Sequence, residues 1–211
     1  MKHIKKGESP KELLEWFEGQ FIDGKYINCR FEQLDSDVKA NIKQLLLQEQ
    51  GWLCCYTGLT IETETSHFEH LFPQYLSKRD GTHEDVDYQN MMVAYPKDGK
   101  CDFGAKARED DLLLVHPLQP DCETKFKFDI EGGISSIDED SERTIKLLKL
   151  FLLNDERKAA IGEILFPADV ILNQEDFQIV ADRYSDPDDN GRLRKFCFVI
   201  TYVAKELLNS L

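Results

Sequence analysis

The stretch SHFEHLFPQ, residues 66–74, sets the carboxylate of Glu69 directly before the imidazole of His70 and fixes the chain at Pro73. Those two side chains suit phosphodiester hydrolysis, which needs a water nucleophile, an acceptor for its proton and positive charge beside the developing oxyanions. A histidine, with an ordinary pKa near ~6.5, can take that proton at neutral pH. Neighbouring side chains of an extended segment point to opposite faces, so Glu69 can hold a divalent cation without obstructing His70. The cation expected is Mg²⁺ or Mn²⁺, keeping several waters and acting as a Lewis acid on the leaving oxygen. The plainer alternative is a polar strand end that leads into a turn.

Other polar residues fall within reach of this pair. His67, two residues before Glu69 on the same strand face, can touch substrate or be an ordinary surface or core histidine. Asn90 heads the apolar run of YQNMMVAY (88–95). In KCDFGAKA (100–107), Asp102 can bind a metal or cap the helix that follows, and Lys106 can contact phosphate or lie on a solvated face. The Cys54–Cys55 pair in CCYTG reads as two buried small hydrophobes.

The elements that must position these residues are short and mixed. SPKELLEWFEGQF (9–21) predicts a helix with a Ser9–Glu12 capping box, and SDVKANIKQLLLQEQG (36–51) a second one capped by Ser36 or Asp37. WLCCYTGLTI predicts a strand entering a turn at Thr57-Gly58; SHFEHLF predicts another strand, and 78–87 a polar loop around Gly81. PKDGKCDFG is a turn-rich link. Phe126, Phe128 and Ile130 alternate with polar residues before Gly132-Gly133, a hairpin signal. Helices are expected over 141–166, broken at Asn154-Asp155, and over 169–186 and 191–211. HPLQPDCE (116–123) fits a connector, a cover over the site or a partner surface.

The fold class is therefore α+β, mostly helical: an N-terminal helical segment (1–50), a small central core (51–110), and a hairpin with a C-terminal helical region (111–211). The 211 residues carry 41% hydrophobic and 31% charged residues, which are globular values. No apolar run reaches the ~20 residues of a membrane span, and the amino end lacks the apolar segment of a secretory signal, so a cytoplasmic chain without a membrane partner is expected. A formal charge of −14 opposes wrapping nucleic acid by the average field. A local basic patch or a partner would have to supply the grip.

The order of Cys-rich turn, Glu-His strand, Asn and Cys-Asp before a Lys-bearing helix resembles the HNH, or ββα-metal, nuclease module. The resemblance implies that Asn90 braces the loop carrying His70, and that Asp102 joins Glu69 as a metal ligand. Beyond the module, MKHIKKGESPKEL, LCCYTG…HFEHLFPQ…DYQNMMVAY and VHPLQPDCETKFKFDIEGGI are similar to the Septu-type (PtuB-like) antiphage HNH proteins, over residues 1 to 160. That similarity implies a DNA-cleaving subunit partnered by an ABC/SMC-type ATPase (PtuA-like), and in some members a retron reverse transcriptase and its msDNA. Two departures stand out. Thr57 occupies the place of a second zinc-knuckle cysteine and Cys101 is alone, so no structural zinc is expected. Asp102 stands where His or Asn is usual, which with the missing zinc ligands favours a catalytically degenerate scaffold as one alternative. An RNA (tRNA) nuclease is another, because HNH geometry recognises the phosphate rather than the sugar.

Overall fold

The computed structural model describes residues 1–27, 29–97 and 101–210. It is α+β: close to half of the chain is helical, and the strands form small antiparallel ribbons. First come α1 (Lys11–Gly19), the ribbon of β1 (Phe21–Ile22) with β2 (Lys25–Tyr26), and α2 (Ser36–Glu49). The expected Ser9–Glu12 capping box does not form. Pro10 itself is the N-cap, extended at ψ 142°, which leaves Ser9 one position too early. Likewise Asp35, not Ser36 or Asp37, sits at the cap of α2. That helix buries Ile42, Leu46 and Leu47.

The segment after α2 is no regular strand. It folds back on itself through a bridge between Leu53 and Thr60, the chain reversing at Gly58 (φ +75), and Cys55 N–H donates to the Val93 carbonyl (3.2 Å). A Cβ there would lie 2.5 Å from the ring of Phe198, so both the conformation and the close approach call for glycine. Next, β3 (His67–His70) pairs antiparallel with β4 (Met91–Ala94), setting Glu69 opposite Met92 and His70 opposite Met91. The intervening residues do not form a plain loop. Pro73 leads into α3 (Gln74–Asp80), which Gly81 ends in the left-handed conformation. Seven mostly polar residues burying only Ser77 give no apolar period to read.

β4 is buried along its whole length and packs on α2. Its outer edge is closed by Gln50, 4% exposed. The Gln50 carboxamide donates to the Val93 carbonyl (2.9 Å) and accepts from the Val93 N–H (2.8 Å). The link over 96–104 lies partly outside the described residues, and a single turn, α4 (Ala105–Arg108), follows Gly104.

The second half holds the ribbon of β5 (Phe126–Phe128) and β6 (Ile134–Ser136), then α5 (Glu139–Leu147), α6 (Asn154–Leu165), α7 (Gln174–Ser185) and α8 (Cys197–Ser210). The break expected at Asn154-Asp155 falls earlier. Lys149 takes left-handed angles (φ 48°, ψ 41°) before a 3₁₀ turn, and Asn154 opens α6 instead. α7 and α8 pack along each other. Residues 116–123 are tied to the start of the chain: Ile4 N–H donates to the Pro117 carbonyl (2.8 Å) and His3 N–H to Glu123 (3.0 Å). One buried cluster runs from Met1 and Ile4 through β4 to Ile200 and Val203 of α8. Among the described residues no helix is long and apolar enough to cross a membrane.

Candidate active site

His70 closes β3 and is 7% exposed. Its Nε2 lies 3.0 Å from the backbone carbonyl of Asp85. A carbonyl can only accept, so Nε2 carries the proton and Nδ1 keeps its lone pair. The Gln74 amide nitrogen approaches that Nδ1 at 3.3 Å, and the ring of Phe31 stands edge-on at 4.9 Å. Burial lowers the His70 pKa below its usual value, with the Asp85 carbonyl opposing in part, which keeps the imidazole neutral at neutral pH. The carbonyl is itself held in place. The Asp85 carboxylate accepts from Phe31 N–H (3.0 Å), Ser77 Oγ (2.9 Å) and Arg30 (3.0 Å).

Asn90 fastens the same loop from the 3₁₀ turn that leads into β4. Its Oδ1 accepts from Phe72 N–H (2.6 Å), and its Nδ2 donates to the carbonyls of Phe72 (3.0 Å) and Glu84 (2.8 Å). The residue two past His70 is thus clamped to the turn beside Asp85. A buried amide using three of its hydrogen-bonding sites on backbone is a rigid joint.

Glu69 turns the other way. Its Oε1 accepts from the Tyr56 hydroxyl (2.9 Å) and pairs with Arg108. Arg108, 1% exposed, also donates to Tyr56 Oη (2.8 Å), to the carbonyls of His70 (2.9 Å) and Leu71, and through Nε to that of Asp111 (2.8 Å). Burial alone would raise the Glu69 pKa, but His67, Arg108 and Tyr56 more than offset it and hold the carboxyl below its usual range.

The second oxygen, Oε2, faces His67 Nε2 at 3.7 Å. His67 Nδ1 is 2.7 Å from the Pro96 carbonyl and so carries a proton. A bare Nε2 lone pair would then point at a carboxylate, which is repulsive unless a proton or a cation lies between them. The proton is favoured: burial lowers the His67 pKa, yet Glu69 and the Pro96 carbonyl outweigh it and raise it. The backbone carbonyl on Nδ1 is also the support that metal-ligating histidines use.

Two small cavities adjoin here. One, of about 200 Å³, is lined by Glu69, His70, Gln74, Arg108, Glu109 and Asp110 among others. The other, of about 340 Å³, is lined by His67, Lys97, Lys106 and Glu109 among others. Glu109 borders both, so His67 and Lys106 stand beside Glu69 and His70. Asp102 is exposed and lines neither. Among the described residues no three His, Cys, Asp or Glu side chains gather as a metal-binding group. The donors that could hold a cation are the pair Glu69 Oε2 and His67 Nε2, 3.7 Å apart. Cys54 and Cys55 are buried. Burial would raise the Cys54 thiol, but hydrogen bonds from Cys55, Thr57 and backbone N–H groups bring it to about 6.

Tyr56, Gln74, Lys97 and Arg108 were not singled out from the sequence. Gln74 alone left a trace, at four residues past His70. No family model matches the chain, and no curated protein matches it either.

Proposed function

We propose that this chain is an HNH-type phosphodiesterase acting on nucleic acid, DNA foremost, with His70 as general base. The observation that supports it is the orientation of His70: Nε2 is committed to the Asp85 carbonyl, while Nδ1 is a lone pair on a residue bordering an open cavity. In this reading His70 Nδ1 takes the proton of the attacking water. The Gln74 amide donates to that Nδ1 at 3.3 Å and yields the place to the water when Nδ1 acts as base. Asn90 keeps the strand end and the Asp85 turn in register, so that the base does not swing. Lys97 and Lys106 hold flanking phosphates. Glu69 and His67 would hold the Mg²⁺ or Mn²⁺, an N/O pair suiting Mn²⁺ better. When bound, that ion supplies Lewis-acid stabilisation of the leaving oxygen. Asp102 stays outside this arrangement.

The net charge of −14 supports weak unaided binding to DNA, and hence delivery by a partner; the resemblance suggests an ABC/SMC-type ATPase in an antiphage system. The test is cleavage of plasmid DNA, single-stranded DNA and tRNA by the purified chain with Mn²⁺, alone and with such an ATPase. His70→Ala should remove cleavage with the fold intact.

One observation favours a second reading. The Arg108 guanidinium already neutralises Glu69, as a cation would, which suits a scaffold that has given up metal chemistry. Undiminished phage protection by a folded His70→Ala variant would establish that reading and end the first.

A further inference from the structure

Another cavity, sharing no lining residue with those at Glu69 and His70, opens between the β5–β6 ribbon and helices α7 and α8. It holds about 470 Å³, within the range of small-ligand sites. Its wall is aromatic: Phe128, Tyr184, Phe198 and Tyr202. Phe128 braces it, edge-on to Tyr202 (centroids 5.7 Å) and tilted against Phe198 (5.8 Å). Tyr184, Phe198 and Tyr202 are only half-buried, so ring surface remains in contact with the cavity.

The rim carries positive charge, against the trend of an acidic chain. Lys2, Lys127 and Lys205 border the cavity with one carboxylate, Glu123, and that carboxylate is taken by Lys2 at 3.1 Å. Lys127 projects from the exposed side of β5 and Lys205 from α8. Among the described residues neither makes an ion pair. Two unmatched ammonium groups beside an open aromatic wall complement a ligand with a flat π face and an anion. That combination is a nucleotide: bases stack on aromatic side chains whatever their identity, and lysine serves phosphate as a point charge.

We propose that this cavity binds a nucleotide, its base against Tyr184, Phe198 and Tyr202 and its phosphate between Lys127 and Lys205. The same chemistry is offered by a free mononucleotide and by the unstacked end of a single strand. The proposal is independent of the phosphodiesterase reading, because the two sites have no residue in common.

Calorimetric titration of the full chain with AMP, with ribose 5-phosphate and with a single-stranded oligo(dA) tests it. AMP, the oligonucleotide or both should bind, and ribose 5-phosphate should bind at least roughly tenfold more weakly than the best of them for want of a base. The double variant Lys127→Glu/Lys205→Glu should weaken binding by about a hundredfold, one decade for each lost charge contact. His70→Ala should leave it unchanged. Binding of AMP alone identifies a free-nucleotide site, and preference for the strand identifies a strand-end site. Should the double variant misfold, shifts of the Tyr184 and Tyr202 ring protons on adding AMP decide the matter in the unaltered chain. The proposal is overturned if neither AMP nor the oligonucleotide titrates, or if ribose 5-phosphate matches AMP. It is equally overturned if charge reversal has no effect, or if an acidic peptide such as octaglutamate is preferred.

Discussion

Replacing Arg108 by methionine probes the joint on which the site is built. The guanidinium spends its donors on Glu69, Tyr56 and the carbonyls of His70, Leu71 and Asp111. Arg108→Met leaves the Glu69 carboxylate, 12% exposed, with only Tyr56 and His67 to hold it. Removing one partner of a buried pair costs about 3–5 kcal/mol, so a loss of about 4 kcal/mol is expected from a total of about 5–15. At about 2–4 °C per kcal/mol for a chain of this size, Tm should fall by about 8–16 °C. Because Glu69 has a depressed pKa in the fold, its contribution is present above the unfolded value near ~4.3 and disappears as pH falls through the folded one. The deficit of the variant should therefore be greatest near neutrality and shrink in acid. Glu69→Gln removes the orphaned charge, so Arg108→Met/Glu69→Gln should lose less than the two single losses combined, by about 1–3 kcal/mol. Urea unfolding followed by circular dichroism, at constant m, measures all three variants. A loss below about 1 kcal/mol for Arg108→Met, or strictly additive losses, would refute the reasoning.

Three further outcomes follow from the geometry. Asn90→Ala leaves Phe72 and Glu84 backbone groups unpaired, so it should cost about 2–4 kcal/mol and speed hydrogen exchange at the Phe72 amide. If a cation sits between Glu69 and His67, the raised His67 pKa means its proton must leave first; Mn²⁺ affinity, read from the EPR signal of free Mn²⁺, should climb with pH until that proton is gone, and His67→Gln should flatten the climb. Gly132→Ala would put a Cβ 2.2 Å from the Asn154 carbonyl at φ +77, costing at least about 3 kcal/mol in a urea melt, whereas Gly24→Ala, with φ +78 and open space around it, should cost only about 1 kcal/mol.

What could be read in the sequence was whatever shows as local pattern. The hairpin was visible because Phe126 and Phe128 alternate with polar residues before two glycines. Asn90 stood out as a polar residue heading a buried strand. The partners that make the site are long-range or backbone. Arg108 meets Tyr56 and Glu69 across 52 and 39 positions, so AKARED looks like any solvated turn of helix. The carbonyl of Asp85 that orients His70 has no side-chain signature at all. Helix ends were misplaced where one residue decides them, as Pro10 does for α1 and Lys149 does ahead of α6.

The Gln50 carboxamide has a consequence for how this molecule meets others. A two-stranded ribbon ordinarily offers a bare flank to any passing extended peptide. Here the flank beside Val93 is already engaged: the Gln50 carboxamide takes both its N–H and its carbonyl, and Cys55 N–H donates to that carbonyl as well. Recruitment by β-augmentation is thereby shut off on that side, and association has to use side-chain surfaces instead.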